Sequence, residues 1–309
     1  MKRILLSLTL MMVSTLLAED LTVETLQGRW SEKRINDWYA DKGWPVGANY
    51  VPRYAINQIE MWQAENFDPK IIEQELEWAA AIGMNTMRVF LHDLLWEQDP
   101  DGFIDRIDEF LKIAQRHRIR PMLVFFDGVW DPHPFLGAQR PARPHVHNSG
   151  WVQSPGRIIL GDPERHDELR DYVKGIMHYF ANDRRVMAWD LFNEPDNLNQ
   201  VSYGGLGLAE KPSPIFQFML ANSDFITFHN YSGADNLTRQ IEEMREAYNR
   251  PLMCTEYLAR SNDSTFEPHL GIMERHRVGA YNWGLVDGKS QTKYPWATWR
   301  EVFTAEPEL

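Results

Sequence analysis

Short hydrophobic runs alternate along the chain with longer stretches in which apolar and polar residues share a helical period. Seven runs, rich in β-branched and aromatic side chains as strands are, cover residues 47–51, 86–91, 121–126, 186–192, 224–229, 251–255 and 279–283. The run PMLVFF is apolar throughout, which is typical of a parallel strand covered on both faces. The pattern therefore predicts seven parallel strands.

The stretches between the runs have the spacing of amphipathic helices, and they cover residues 69–83, 104–119, 164–183, 213–222, 236–248 and 296–303. In the first, Ile72, Leu76 and Ala79 fall on one face and Gly83 marks the end. Alternating strands and helices indicate an α/β fold. Because no glycine-rich phosphate loop follows a strand, we favour a (β/α)8 TIM barrel over an open nucleotide-binding sheet. With seven recognisable strands, this barrel is expected to be incomplete.

The first 18 residues have the pattern of a secretory signal peptide. Lys2 and Arg3 precede an apolar stretch, and the small residue Ala18 comes just before Glu19. A buried N-terminal helix is the alternative interpretation. We expect residues 1–18 to direct the protein out of the cytoplasm, so that residues 19–309 form a single secreted or periplasmic domain.

The chain is acidic, with 44 Asp and Glu residues against 32 Lys and Arg and a formal net charge of −12. A negative field of this size repels nucleic-acid phosphates and anionic membranes, so neither is an expected partner. Neutral polymers such as polysaccharides are tolerated. The single cysteine, Cys254, has no partner for an intramolecular disulfide and lies in an apolar run, which favours a packing role.

Polar and aromatic residues follow the predicted strands at their C-terminal ends, where barrel enzymes carry their catalytic groups. Two of them, Glu194 and Glu256, come directly after apolar runs. Glycoside hydrolysis requires two such carboxyl groups, one to protonate the leaving oxygen and one to attack the anomeric carbon or activate water. Cation binding or helix capping is the alternative use of a glutamate here. We predict that this pair is catalytic.

The other strand ends supply groups suited to hold a sugar beside these carboxylates. Arg88 would keep Glu256 ionised by charge pairing, and Tyr231 would donate a hydrogen bond to the same carboxylate. Asn193 would bind a sugar hydroxyl, and tryptophan rings would offer flat apolar faces to pyranose rings. The predicted substrate-binding residues are Arg88, His92, Asp127, Trp130, Asn193, His229, Tyr231 and Trp283.

Four residues near these strand ends also have a structural interpretation. For Arg88 the alternative, which we rank below the functional role, is a buried ion pair that braces the barrel. Asp127 and His92 are equally suited to hold the substrate-contacting residues in place through hydrogen bonds. Trp96 is a third candidate platform for a sugar ring, but it is also suited to the core. The sequence leaves these alternatives open.

The long stretch 128–165 is rich in Pro, His and Trp and has no helical periodicity. Long loops after a barrel strand usually form part of a binding site. The loop histidines His133, His145 and His147 are candidate metal ligands, but the H-x-H pair is weak support, and we rank metal binding below loop polarity or sugar contacts. We predict neither a metal nor a cofactor.

The motifs at the strand ends, taken in order, resemble those of clan A glycoside hydrolases, and most closely the family 5 group of cellulases, mannanases and xylanases. The matching segments are TMRVF, VMAWDLFNEPDN, FHNY, PLMCTEY and AYNWG. The resemblance implies hydrolysis of a β-linked glycan with retention of anomeric configuration. It implies Glu194 as the acid/base and Glu256 as the nucleophile, with carboxyl groups about 5–5.5 Å apart.

The chain departs from this family between the Asn-Glu-Pro strand and the His-x-Tyr strand. Family members have a helix, a strand and a second helix there, whereas this sequence has room for a glycine-rich loop and one short helix. Either the two flanking strands pair directly into a smaller barrel, or a gap leaves their backbones unpaired. Both outcomes are expected to disturb the spacing of Glu194 and Glu256, because these two residues flank the shortened segment. The alternative function is a carbohydrate-binding barrel with impaired catalysis.

Overall fold

The structure, a computed structural model, describes residues 28–195 and 214–296. Seven strands form one parallel sheet, and each begins and ends within two residues of a predicted run. They are β1 (Val46–Asn49), β2 (Thr86–Phe90), β3 (Met122–Asp127), β4 (Ala188–Asn193), β5 (Ile226–His229), β6 (Leu252–Tyr257) and β7 (Gly279–Trp283). The predicted strands are therefore confirmed.

The helices of the described ranges are α1 (Glu32–Lys42), α2 (Gln58–Trp62), α3 (Pro69–Ala81), α4 (Asp93–Gln98), α5 (Pro100–Arg116), α6 (Arg157–Leu160), α7 (His166–Phe180), α8 (Pro214–Asn222), α9 (Ala234–Ala247) and α10 (Phe266–Arg275). The predicted helices α3, α5, α7, α8 and α9 are confirmed. The predicted helix 296–303, apart from Trp296, and the predicted signal peptide 1–18 lie outside the described residues. Within those residues, no helix combines the length and the apolar character needed to cross a lipid bilayer.

The sequence pattern misses the shorter helices for a physical reason. Helices α2, α4 and α6 have only four to six residues, too few to show a 3.6-residue period. Helix α5 begins four residues before its predicted start, because Asp99 caps it. The Asp99 side chain accepts a hydrogen bond from the Gly102 amide at 3.0 Å, and Pro100 takes the first helical position.

The strands lie in the order β4-β3-β2-β1-β7-β6-β5, and neighbouring strands are parallel. Strands β4 and β5 are the two edges, and the described residues contain no ladder between them. Of the two expected outcomes, the structure therefore has the gap and not the smaller closed barrel. The fold is a curled half-barrel of seven parallel strands, which confirms the predicted incomplete TIM barrel.

Burial follows this topology. The main apolar core joins β1, β2 and β3 to helices α2, α3, α5 and α7, and a second cluster joins β5, β6 and β7 to α9 and α10. Cys254 is fully buried in the second cluster, in agreement with its predicted packing role. Strands β2, β3 and β6 are buried at every position, whereas Leu191 on edge strand β4 is 55% exposed. The open side of the sheet is thus its least covered part.

Trp96 is a core residue and not a sugar platform. Its ring packs against α7 so closely that a Cβ atom on Gly175 would lie 2.0 Å from it. Only glycine fits at this point of α7, and the contact decides between the two interpretations that the sequence allowed.

Candidate active site

Arg88, on β2, lies at the centre of the candidate site. Its side chain is 1% exposed and donates hydrogen bonds of 2.7–3.0 Å to Asn49, Asp190, Asn193 and Glu256. Burial alone lowers the pKa of Arg88, but the charges of Asp190 and Glu256 outweigh it and raise the pKa overall. One buried cation thus joins carboxylates on β4 and β6, and the predicted pairing of Arg88 with Glu256 is present.

The two predicted catalytic glutamates meet at His229. The His229 Nδ1 atom lies 2.8 Å from Oε1 of Glu194 and 3.5 Å from Oε2 of Glu256. One nitrogen or oxygen atom from each of these three residues lies within 4.8 Å of the other two. The Tyr231 hydroxyl donates to Oε2 of Glu256 at 2.6 Å, as the sequence predicts. Residues from three strand ends therefore form one compact buried group.

Glu194 has a left-handed backbone conformation at the end of β4, with φ of 49°. This conformation is uncommon outside glycine, and such strain clusters at functional sites. Beside it, the Gly128 amide donates to the Asn193 carbonyl at 2.8 Å. A Cβ atom on Gly128 would lie 2.2 Å from the Glu194 carbonyl oxygen. A glycine at 128 is therefore required for the ends of β3 and β4 to approach this closely.

His229 and Glu256 both have pKa values above their ordinary range. For His229, burial lowers the pKa, but the negative charges of Glu256 and Glu194 outweigh it and raise the pKa. For Glu256, burial raises the pKa, against the opposing effects of His229, Arg88 and Tyr231. Raised values of this kind are common in sites that hold and transfer a proton.

Neither a family model nor a curated protein matches the chain. Solved structures do match. An endo-1,4-beta-D-mannanase from Thermotoga petrophila RKU-1 matches with a TM-score of 0.53 at 14% identity, over 79% of this chain and 89% of that one. A Bacteroidetes-affiliated GH5 cellulase matches with a TM-score of 0.50 at 11% identity, over 89% of this chain and 97% of that one. A beta-1,4-D-mannanase from Cryptopygus antarcticus matches with a TM-score of 0.50 at 12% identity, over 83% of this chain and 90% of that one. The fold is that of the family 5 glycoside hydrolases.

Asp127 supports Asn193 from behind in this family 5 fold. Its carboxylate accepts hydrogen bonds from Asn193 Nδ2 (3.0 Å), the Val129 amide (3.1 Å) and Trp151 Nε1 (2.6 Å). Burial raises the pKa of Asp127 to about 8, and these hydrogen bonds lower it by a smaller amount. Asp127 is 1% exposed and holds the supporting position that the sequence also allowed, while its direct contact with substrate stays a prediction.

His92 also lies behind the site. It is fully buried, and its Nδ1 atom accepts a hydrogen bond from the Leu94 amide at the start of α4. Its Nε2 atom lies 2.9 Å from the Gln153 carbonyl oxygen. The ring caps α4 and ties it to the 128–165 loop, which is the supporting role that the sequence also allowed. Contact of His92 with substrate stays a prediction.

The aromatic residues near the strand ends are only partly covered. Trp283 is half-buried, with ring centroids of Trp151 and Phe90 at 5.5 and 6.0 Å in edge-to-face arrangements. Trp130 is half-buried against the main core. Trp296 packs edge-to-face on Tyr231 at 4.3 Å. Sugar stacking by Trp283 and Trp130 stays a prediction.

The three loop histidines are not brought together. His133 is exposed, His145 Nδ1 bonds to the Tyr294 hydroxyl, and His147 Nδ1 bonds to the Tyr294 carbonyl oxygen, each at 2.8 Å. Burial lowers the pKa of His147 to about 4. Within the described ranges, these histidines belong to no cluster with metal-binding geometry. The loop therefore does not favour a metal-dependent hydrolase.

Sequence reasoning missed Asp190, Trp151 and Trp296. A signal existed for Asp190, because an acidic residue in the middle of an apolar strand requires a buried partner. That partner is Arg88, which donates a hydrogen bond to the Asp190 carboxylate. Nothing in the sequence marks Trp151, since its bond to Asp127 joins a loop to a strand end. Trp296 is the first residue of a predicted helix, and its contact with Tyr231 is a tertiary one that the helical pattern does not indicate.

A pocket of about 60 Å³ lies at the open side of the sheet, between β4, α8 and β5. Glu194 and His229 line one end, while Phe216, Met219 and Phe228 contribute apolar surface. The volume holds several water molecules. Space at the position of the missing strand thus reaches one of the two glutamates.

Proposed function

We propose that the protein hydrolyses a β-linked glycan by a retaining double-displacement mechanism. The observation that carries the proposal is the approach of Glu194 and Glu256, whose nearest atoms lie within 4.8 Å of each other and of His229. Retaining glycosidases have carboxyl groups about 5–5.5 Å apart, whereas inverting ones leave about 6.5–9.5 Å for a water molecule. The spacing supports the retaining reaction.

The surroundings of each glutamate support its assigned role. Glu256 accepts hydrogen bonds from Arg88 and Tyr231, which act against the pKa-raising effect of burial and favour the carboxylate that attacks the anomeric carbon. Glu194 then protonates the leaving oxygen and, in the second step, takes a proton from the water that releases the sugar. The His229 ring contacts both carboxylates and so holds Glu194 close to Glu256. Arg88 and Asp127 fix the Asn193 amide, which we assign to a sugar hydroxyl.

The substrate class follows from the fold together with this site. Proteins of the same fold include an endo-1,4-beta-D-mannanase and a cellulase, and we propose a β-linked polysaccharide or oligosaccharide as the substrate here. Export by the signal-like residues 1–18 would bring the enzyme to such polymers outside the cytoplasm.

Hydrolysis of β-mannan, xylan, β-glucan and aryl β-glycosides, with the product anomer followed by NMR, tests the proposal. We expect Glu256→Gln to lose all turnover, because no nucleophile remains. Glu194→Gln should lose activity on polysaccharides but keep part of it on an aryl glycoside whose leaving group needs no proton. The control is Glu242→Gln, which changes an exposed glutamate of α9. Turnover that survives both active-site substitutions would remove the assigned roles.

The open sheet favours a second candidate, a carbohydrate-binding barrel with impaired catalysis. Glu194 comes directly after edge strand β4, and His229 is the last residue of edge strand β5. Within the described residues, β4 and β5 do not pair with each other. This candidate predicts that calorimetry detects glycan binding while the same glycan stays intact after prolonged incubation. Product with retained configuration would rule it out.

A further inference from the structure

The cluster of Glu194, His229 and Glu256 has the geometry of a transition-metal site. The His229 Nδ1 atom lies 2.8 and 3.5 Å from one oxygen of each glutamate. In tetrahedral zinc sites the metal lies about 2.0–2.2 Å from each ligand, which places the ligand atoms about 3.4 Å apart. These two separations lie on either side of that value, and all three ligand atoms lie within 4.8 Å of one another. Side-chain movements that draw the two glutamate oxygens together would therefore complete a zinc coordination sphere.

Burial and charge favour a cation at this point. The three side chains are 6–10% exposed, and Asp190 adds a third carboxylate close by. Arg88 is the fixed cation that pairs with this group. A divalent ion would offset the remaining negative charge where little solvent is present to do so.

The ligand types narrow the choice of metal. One imidazole nitrogen with two carboxylate oxygens suits zinc and copper, whereas calcium requires six to eight oxygen ligands and magnesium a near-octahedral oxygen shell. Three protein ligands leave a fourth position open, as in zinc sites that bind water. The outer contacts of Glu256, from Arg88 to Oε1 and from Tyr231 to Oε2, orient its carboxylate in the manner of supporting residues in metal sites.

We propose that Glu194, His229 and Glu256 bind one Zn²⁺ or Cu²⁺ ion, and that the ion blocks the site by occupying the space between the two glutamates. The blocking of turnover rests on the proposed hydrolase function, whereas the binding of the ion does not. A bound ion withdraws both carboxylates from the acid, base and nucleophile roles at once, because each donates an oxygen lone pair to the metal.

Calorimetric titration of the chelator-treated full chain with ZnCl2 tests the binding, and EPR with Cu²⁺ tests for a nitrogen ligand. We expect one Zn²⁺ per chain and no comparable binding of Mg²⁺ or Ca²⁺. Glu194→Gln, Glu256→Gln and His229→Asn should each weaken Zn²⁺ binding at least 10-fold. His117→Asn is the matched control, because His117 pairs with a single glutamate, Glu73, at the surface. Circular dichroism shows whether each variant is folded.

The outcomes separate this proposal from the hydrolase function. Zn²⁺ binding that requires the three residues, in a chain without turnover, supports the metal site and removes the hydrolase. Turnover that is unaffected by stoichiometric Zn²⁺, or Zn²⁺ binding that survives the three substitutions, overturns the metal site and leaves the hydrolase standing. Where both hold, Zn²⁺ should inhibit hydrolysis competitively with the glycan, and EDTA should restore the rate.

Discussion

Arg88 is the single residue on which the geometry of the site depends most, because it bonds to four side chains from β1, β4 and β6. Replacement by methionine leaves the buried carboxylates Asp190 and Glu256 without their cation. We expect Arg88→Met to lower the free energy of unfolding by about 3–5 kcal/mol, the usual cost of breaking a buried pair. Urea unfolding followed by circular dichroism measures it.

A surface ion pair provides the comparison for Arg88. Arg116 pairs with Glu73 at the surface, and its side chain is 52% exposed. Arg116→Met should cost less than about 1 kcal/mol, because solvent screens such pairs. Equal losses in the two variants would show that the Arg88 network adds no more stability than a solvated contact.

Asp127 should make stability depend on pH. Its pKa is raised to about 8 in the folded protein, mainly by burial, whereas an unfolded aspartate titrates near 3.9. Between these values the folded state binds the extra proton, so stability decreases as the pH rises through this window. Compared with Asp127→Asn, the wild type should lose up to about 1.4 kcal/mol more per pH unit.

Urea titrations of both proteins between pH 5 and pH 8 measure the Asp127 contribution as a difference in slope. The comparison of the two proteins cancels other groups that titrate in the same range, including His229. Asp101→Asn, at an exposed carboxylate on α5, is the control. Parallel curves for wild type and Asp127→Asn would mean that Asp127 is ionised in the folded protein at pH 5.

At the scale of elements, β4 and β5 differ from the inner strands. Both inner strands β2 and β3 pair on two sides and are fully buried, whereas β4 and β5 are the sheet edges. We expect the outward amides of β4 and β5 to exchange with deuterium faster than those of β2 and β3 by several orders of magnitude, because they open without disrupting a ladder. Hydrogen exchange followed by mass spectrometry measures this.

Peptides from β6 provide the internal reference for this exchange experiment, since β6 is buried at every position and pairs with β5 and β7. Slow exchange throughout β4 and β5, equal to that of β6, would show that the edges are covered in solution. The half-barrel would then not be the state that the protein occupies.

For the whole molecule, exposed edges favour self-association and the net charge of −12 opposes it. Salt screens the repulsion, since the Debye length falls to about 3 Å at 1 M. We therefore expect sedimentation velocity to show more association as NaCl is raised. Leu191→Lys, which adds a charge at a 55% exposed position of β4, should reduce the association at each salt concentration.

The comparison variant for association is Ile82→Lys, at a 73% exposed position just after α3 and away from the sheet edges. It adds the same charge without changing β4. Each lysine brings the net charge closer to zero, which by itself favours association. If both variants reduce association equally, the effect therefore comes from the loss of exposed apolar surface in general, and the open edges have no special part in it.

Predictability from the sequence varied with the range of the interaction. The seven strands follow from short apolar runs, and the pairing of Glu256 with Arg88 and Tyr231 was predicted from their positions near strand ends that share one edge of the sheet. The residues that support the site from behind could not be predicted in this way. Contacts such as that of Trp151 with Asp127 join segments far apart in the sequence, and local sequence patterns do not indicate which distant segments meet. The contact of His92 with the Gln153 carbonyl is unpredictable for the same reason, since it depends on the packing of the 128–165 loop.

The sequence by itself determined the α/β alternation, the strand positions and the shortage of chain between the Asn-Glu-Pro and His-x-Tyr strands, because these depend on local periodicity and on length. Only the tertiary structure decided that β4 and β5 stay apart as edges, and that Glu194 and Glu256 still meet at His229. The physical reason is that the paired strands β3, β2, β1 and β7 connect β4, which precedes Glu194, to β6, which carries Glu256. Arg88 then fixes their spacing through buried charge pairs.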